Sequence, residues 1–257
     1  MNQCMENVEY IIGQLKRIWD NTSNPYYSSL HNCELGKRGF WFPVNPSPAE
    51  VLITGINPSF RGGESHTQSP VPVRVIIDNP QYDTYWTTAK RIVFEDRKDR
   101  PGYGLDFRDK SAFMDLFYFR EKNQKCIGNT ILHWPDKSGV SFMADQLRVS
   151  QERIERLKPK VIVIKNTESQ TYWGKLNSPE RECIWMGYEF TSIPFHGHPR
   201  WEVARITGIN TKNISGLLSS ELVRQGTVVL FAQHINQYTS VEERPTPETI
   251  EQLLKLV

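Results

Sequence analysis

The 257-residue chain lacks most features that announce a function at once. Its four cysteines, Cys4, Cys33, Cys126 and Cys183, are scattered and form no Cys-x-x-Cys pair. That argues against a structural zinc site or an iron–sulfur cluster, and neither a metal nor another cofactor is expected. No apolar run approaches the roughly 18 residues of a spanning helix, so no membrane partner is expected. The opening MNQCMENVEY lacks the basic-then-apolar build of a secretion signal. With the dispersed cysteines, this reads as a reduced, cytoplasmic protein, and the glycosylation-type triplets at Asn21 and Asn213 are then chance matches. An excess of one charge is also missing. The formal net charge is +2, so no global field marks a nucleic-acid binder, although a local basic face stays open. Neither G-x-G-x-x-G nor G-x-x-x-x-G-K-[ST] occurs, which counts against an ordinary nucleotide-binding enzyme. No Gly/Ser-rich or Pro-rich linker divides the chain. One domain over residues 1–257 is expected, as a monomer.

What is present is a succession of helical and strand-like patterns. Val8, Ile11, Ile12, Leu15, Ile18 and Trp19 share one helical face within residues 7–19. A loop to about residue 50 leads into VLITG, a short apolar run that fits a strand buried on both faces. Residues 71–94 predict helices on either side of Asn79-Pro80. SAFMDLFYF reads as a second strand. The stretch VSFMADQLRVSQERIERLKPKVIVI is a helix ended at Lys158-Pro159, followed by a β-branched central strand. YEFTSIPF is a fourth strand candidate, leading into HGHPR. GLLSSELVRQG reads as a helix and TVVLFAQ as a strand. TPETIEQLLKLV closes as a helix with Thr246 as N-cap and Pro247 in the first turn. Helix and strand in repetition predict an α/β fold with a mostly parallel sheet.

Ligands of such sheets sit beyond the carboxyl ends of the strands. Three features fall there: GINPS after the first strand, Asp115 near the end of the second, and HGHPR after the fourth. In GINPS, Gly55 permits a tight turn and close approach of a ligand to the backbone. Pro58 holds Asn57 extended, and Ser59 can cap a following helix. The turn is either an ordinary strand-to-loop connection or a rigid amide that orients a water or a polar substrate atom. In FHGHPR, Pro199 restricts His198. This is a surface loop, a locally bonded histidine, or a fixed imidazole that donates to a developing anion. Two basic clusters, Arg97/Lys98/Arg100 beside Tyr103 and Arg200/Trp201/Arg205, are either solvated surface or a grip on nucleic acid.

Taken in order, GINPS after a strand, the QLRVSQERIERLKPKVIVI helix–Pro–strand unit, and His-Pro after a last strand resemble the uracil-DNA glycosylase superfamily. The likeness is to the G-x-N-P branches, mismatch-specific or single-strand-selective, and covers roughly residues 45–205. It implies a three-layer α/β/α fold and hydrolysis of an N-glycosidic bond in DNA, with the base flipped out of the stack. By this resemblance Asn57 positions the attacking water, and His198 stabilises the departing base. Gly55, Ile56 and Pro58 line the base site, where Phe60 stacks unless it is a plain core contact. Ser59, Arg200, Trp201 and Arg205 face DNA, with Trp201 as a wedge into the stack. The chain departs from the family pattern in three places. Arg200 stands where serine usually follows His-Pro. Lys165-Asn166 stands where glycine commonly follows the central strand. Asp115 stands where the family reads the base with asparagine. An ionised aspartate accepts hydrogen bonds but donates none; Asp115 either favours a base bearing an amino group, or is protonated, or is a purely structural residue capping a local turn. A catalytically silent module of the same fold, which binds a nucleobase or nucleic acid, is the alternative function.

Overall fold

The amphipathic opening of the chain forms helix α1 (Val8–Trp19), capped by Asn7, whose side chain accepts from the Tyr10 N–H. The computed structural model describes residues 4–60, 70–79, 84–175, 184–236 and 238–257. Cys183 and Pro80 lie outside the described residues. Two short helices, α2 (Tyr27–His31) and α3 (Glu34–Lys37), precede strand β1 (Val51–Gly55), which is buried throughout. Helices α4 (Val73–Asp78) and α5 (Thr84–Val93) flank Asn79-Pro80 as the spacing predicts. Strand β2 (Ser111–Asp115), helix α6 (Cys126–Asn129) and the long helix α7 (Ser138–Leu157) follow. At the end of α7 Lys158 turns left-handed, with φ 50°. Pro159 cannot continue the helix, and the chain re-enters the sheet as β3 (Val161–Ile164).

After α8 (Gln170–Trp173) come β4 (Tyr188–Ile193) and β5 (Glu202–Ile209), then α9 (Glu221–Gln225), β6 (Val228–Phe231) and α10 (Pro247–Leu254). The sheet order is β2-β1-β3-β6-β5-β4. The first four strands are parallel; β5 is antiparallel to β6, and β4 is antiparallel to β5. The protein is therefore α/β, with a six-stranded, mostly parallel sheet. Successive side chains of β1 and β3 point to opposite faces. Leu52, Ile162 and Ile164 join the core that contains Leu15 of α1 and Leu147 of α7. Val51, Ile53, Val161 and Val163 join a second core with Ile76 of α4, Ile92 of α5 and Ile250 of α10. Helices cover both faces, which is why β1, β3 and β6 are buried at every position and mostly apolar.

Two expectations are corrected. β5 was not foreseen, because Glu202, Arg205 and Gly208 interrupt its apolar pattern. The helix expected from Gly216 begins only at Glu221. Asn213 Oδ1 accepts from the N–H groups of Ser215 and Leu217, and Ser220 Oγ accepts from those of Leu222 and Val223. These local bonds hold the upstream segment in turns instead of helix.

Candidate active site

β1, β2, β3 and β6 end on one edge of the sheet, and each is followed by polar residues. Past the strand ends, β1 and β2 stay laced together. Leu116 N–H donates to Gly55 O (3.2 Å), Phe117 N–H to Ile56 O (2.8 Å) and Glu121 N–H to Pro58 O (3.1 Å). The GINPS turn is thus pinned along residues 116–121. Asn57 is buried. Its amide nitrogen donates to Pro58 O at 3.1 Å and Glu121 O at 3.0 Å. Both bonds fix which way the amide faces and leave Oδ1 as the acceptor. That oxygen is buried without a hydrogen-bond partner among the described residues. An unsatisfied buried acceptor costs about 1–3 kcal/mol, which a donor such as a bound water's O–H would recover. Asp115, the last residue of β2, is paired in register with Gly55 and is also buried.

On the other side of β1, β3 is followed by Lys165 and Asn166, both buried. Asn166 Oδ1 accepts from Glu168 N–H at 2.8 Å. Its Nδ2 donates to Gln124 Oε1 at 2.9 Å and lies 3.4 Å from His234 Nδ1. His234 follows β6, where Ile235 N–H donates to Lys165 O at 3.1 Å. The ring keeps solvent access. Partial burial, and then the Lys165 charge, hold its pKa below the usual histidine value, while Glu168 acts in the opposite direction. Residues 121–124 bridge the two halves: the backbone of Glu121 holds Asn57, and the side chain of Gln124 holds Asn166.

Phe60 lies beneath two guanidinium groups, Arg38 at 4.5 Å and Arg120 at 5.5 Å from the ring centroid. Arg38 is also paired with Glu121 at 2.5 Å, so the ring is held by the same segment that holds Asn57. Burial lowers the Arg120 pKa. Phe60 is only half-buried and Ser59 is exposed, whereas Ile56 and Pro58 are buried.

The structure brings Gly55, Ile56, Asn57, Pro58, Ser59, Phe60 and Asp115 together, but not the remaining expected residues. His198 sits in the hairpin between β4 and β5, where Nδ1 accepts from Arg200 N–H at 3.2 Å and the ring lies 5.7 Å from that of Trp201. β4 ends on the same edge as β1, but β3, β6 and β5 lie between them. Four strand spacings of about 4.8 Å put the two ends roughly 19 Å apart. The expected meeting of Asn57 and His198 is therefore corrected by topology, since the strand before His198 is an edge strand and the last parallel strand is β6. The second basic cluster is also engaged elsewhere. Arg200 pairs with Glu243 at 2.7 Å. Arg205 donates to Gly226 O at 2.9 Å and Leu256 O at 2.5 Å. Trp201 is half-buried against the second core. Both arginines of the first cluster are compensated too: Arg97 pairs with Asp99 at 2.7 Å, and Arg100 lies 4.0 Å from Glu242.

His234 was missed because no proline follows it; the available signal was its place directly after the TVVLFAQ strand. Among the described residues, no three His, Cys, Asp or Glu side chains are grouped to hold a metal ion. No helix among them is long and apolar enough to cross a membrane. Fold and site thus define an α/β protein with an amide, a carboxyl group and an imidazole along the carboxyl edge of its parallel strands. The sequence matches no protein-family model, and no curated protein is significantly similar to it.

Proposed function

We propose that the protein is a DNA glycosylase of the uracil-DNA glycosylase type, which hydrolyses the N-glycosidic bond of a base flipped out of DNA. The observation that carries this reading is the linkage of Asn57 to His234 through Glu121, Gln124 and Asn166. The resemblance in sequence calls for an amide after the first strand and an imidazole after the last. The last parallel strand is β6, so His234 takes the role expected of His198.

In this mechanism the bond between C1′ and the base nitrogen breaks, and its electron pair leaves with the base. Water adds to C1′, and its proton ends on the base. Asn57 Oδ1 accepts a hydrogen bond from that water and aims it. An amide is no strong base, which suits a sugar that is already cation-like in the transition state. His234 donates to the base as negative charge gathers there; one such donor is worth on the order of 100–1,000-fold in rate. Asp115 reads the base edge. As a carboxylate it repels the O4 of uracil and favours an exocyclic amino group, so modified cytosines belong in the substrate panel beside uracil. Phe60 supplies the stacking face. For the wedge, Tyr238 replaces Trp201. It stands four residues past His234, 85% exposed, and its N–H donates to Asn236 Oδ1 at 2.8 Å. An exposed aromatic on a pinned turn fits insertion between base steps.

The test is a base-release screen on oligonucleotides carrying uracil, thymine mismatches, hypoxanthine, xanthine and modified cytosines. Release from at least one, lost in Asn57→Ala, supports the reading. Binding of a modified strand without release from any would favour the silent module, for which the Asp115 departure is the specific observation.

A further inference from the structure

We infer that Asn166 fixes the tautomer of His234, so that the ring proton sits on Nε2 and Nδ1 stays an acceptor. The neighbours of the Asn166 amide set its direction. The Glu168 backbone N–H, which can only donate, lies 2.8 Å from Oδ1. Turning the amide over would set its NH2 against that N–H, donor against donor. The NH2 group therefore faces the other two neighbours. One hydrogen goes to Gln124 Oε1 at 2.9 Å, and the other faces His234 Nδ1 at 3.4 Å. A donor directed at Nδ1 requires a lone pair there. In a neutral imidazole the proton is then on Nε2.

The backbone holds this arrangement in place. Asn166 is buried, its carbonyl accepts from Ser169 Oγ at 2.7 Å, and Ile235 N–H donates to Lys165 O next to the histidine. The charged neighbours of the ring, Lys165 and Glu168, act in opposite senses, and burial together with Lys165 opposes a second proton. Asn166 is thus a positioning residue. It touches no reacting atom, but it decides which ring nitrogen offers a hydrogen outward. This use of the ring rests on the proposed function, in which the outward Nε2–H faces the departing base. The tautomer itself does not depend on that reading.

The experiment is 15N NMR of the full chain with labelled histidine, near and above neutral pH, with the His234 signals assigned by their loss in His234→Gln. Wild type should show an unprotonated Nδ1 and a protonated Nε2. In Asn166→Asp the new carboxylate accepts from Nδ1–H, so the proton should move to Nδ1 and the His234 pKa should rise. A wild-type Nδ1–H tautomer, or an unchanged tautomer in Asn166→Asp, would overturn the inference; the wild-type spectrum decides this even if the variant folds poorly. Base release by Asn166→Asp should fall on the order of 100-fold in kcat with KM little changed. A shifted tautomer with undiminished kcat would overturn the positioning role. The expected tautomer in a wild type that releases no base would leave the tautomer assignment standing and sink the glycosylase reading.

Discussion

Asn57 has a structural duty in its two bonds to backbone carbonyls and, in the proposed mechanism, a chemical one. Its NH2 group satisfies two backbone carbonyls, so Asn57→Ala removes more than a water contact. Stability should drop by about 1–2 kcal/mol, a fall of a few degrees in Tm by thermal unfolding, while base release drops at least about 100-fold. A comparable loss of release in a variant that merely destabilises the fold to the same degree would undercut the chemical role. His234 gives a pH dependence of defined sign. Its folded pKa lies below that of the unfolded chain, so in acid the unfolded state binds the extra proton first. The histidine's contribution to stability is therefore fully present above the unfolded value near 6.5. It is lost as pH falls through the folded pKa. Urea unfolding between pH 7.5 and 5 should show a shallower acid decline in His234→Gln than in wild type. Of these two residues, only Asn57 was legible in the sequence, because GINPS carries its turn chemistry within five residues. The choice between His198 and His234 depends on which strand is the last parallel one. That is set by pairing over long sequence separations, which no local pattern encodes.

At the scale of elements, β1, β3, α7 and α10 were legible because each repeats its period or carries its own stop and cap signals. Thr246, Pro247 and the Thr249 N–H bonded back to Thr246 make the start of α10 explicit. β5 was not legible. Arg205 looks like a surface cation in the sequence, yet its guanidinium donates to two backbone carbonyls, those of Gly226 and Leu256. Arg205→Met should therefore lower Tm without weakening DNA binding, and a loss of DNA affinity at unchanged Tm would restore its expected role. Elements far apart in sequence are also joined by buried ion pairs. Arg153 of α7 meets Glu6 at 2.7 Å, with both side chains buried. Removing Glu6 would strand that charge in the interior. Glu6→Ala should cost about 3–5 kcal/mol by chemical denaturation. Glu243→Ala, which breaks the exposed pair with Arg200, should cost less than about 1 kcal/mol.

For the whole molecule, the sheet order decides what meets what. Four parallel strands deliver GINPS, Asp115, Lys165-Asn166 and His234 to one edge, and the 121–124 segment ties the pieces together. The β4–β5 hairpin adds a lateral extension that carries His198 away from that cluster. In the proposed function Asn57 and His234 form one hydrolytic site, and His198 stands outside it. The most direct measurement is the single-turnover rate of base release from the best oligonucleotide of the panel, compared among wild type, His234→Ala and His198→Ala. His234→Ala should slow release on the order of 100–1,000-fold, and His198→Ala should stay within a few-fold of wild type. A severe loss in His198→Ala with near-normal release by His234→Ala would instead place His198 in the site and His234 outside it.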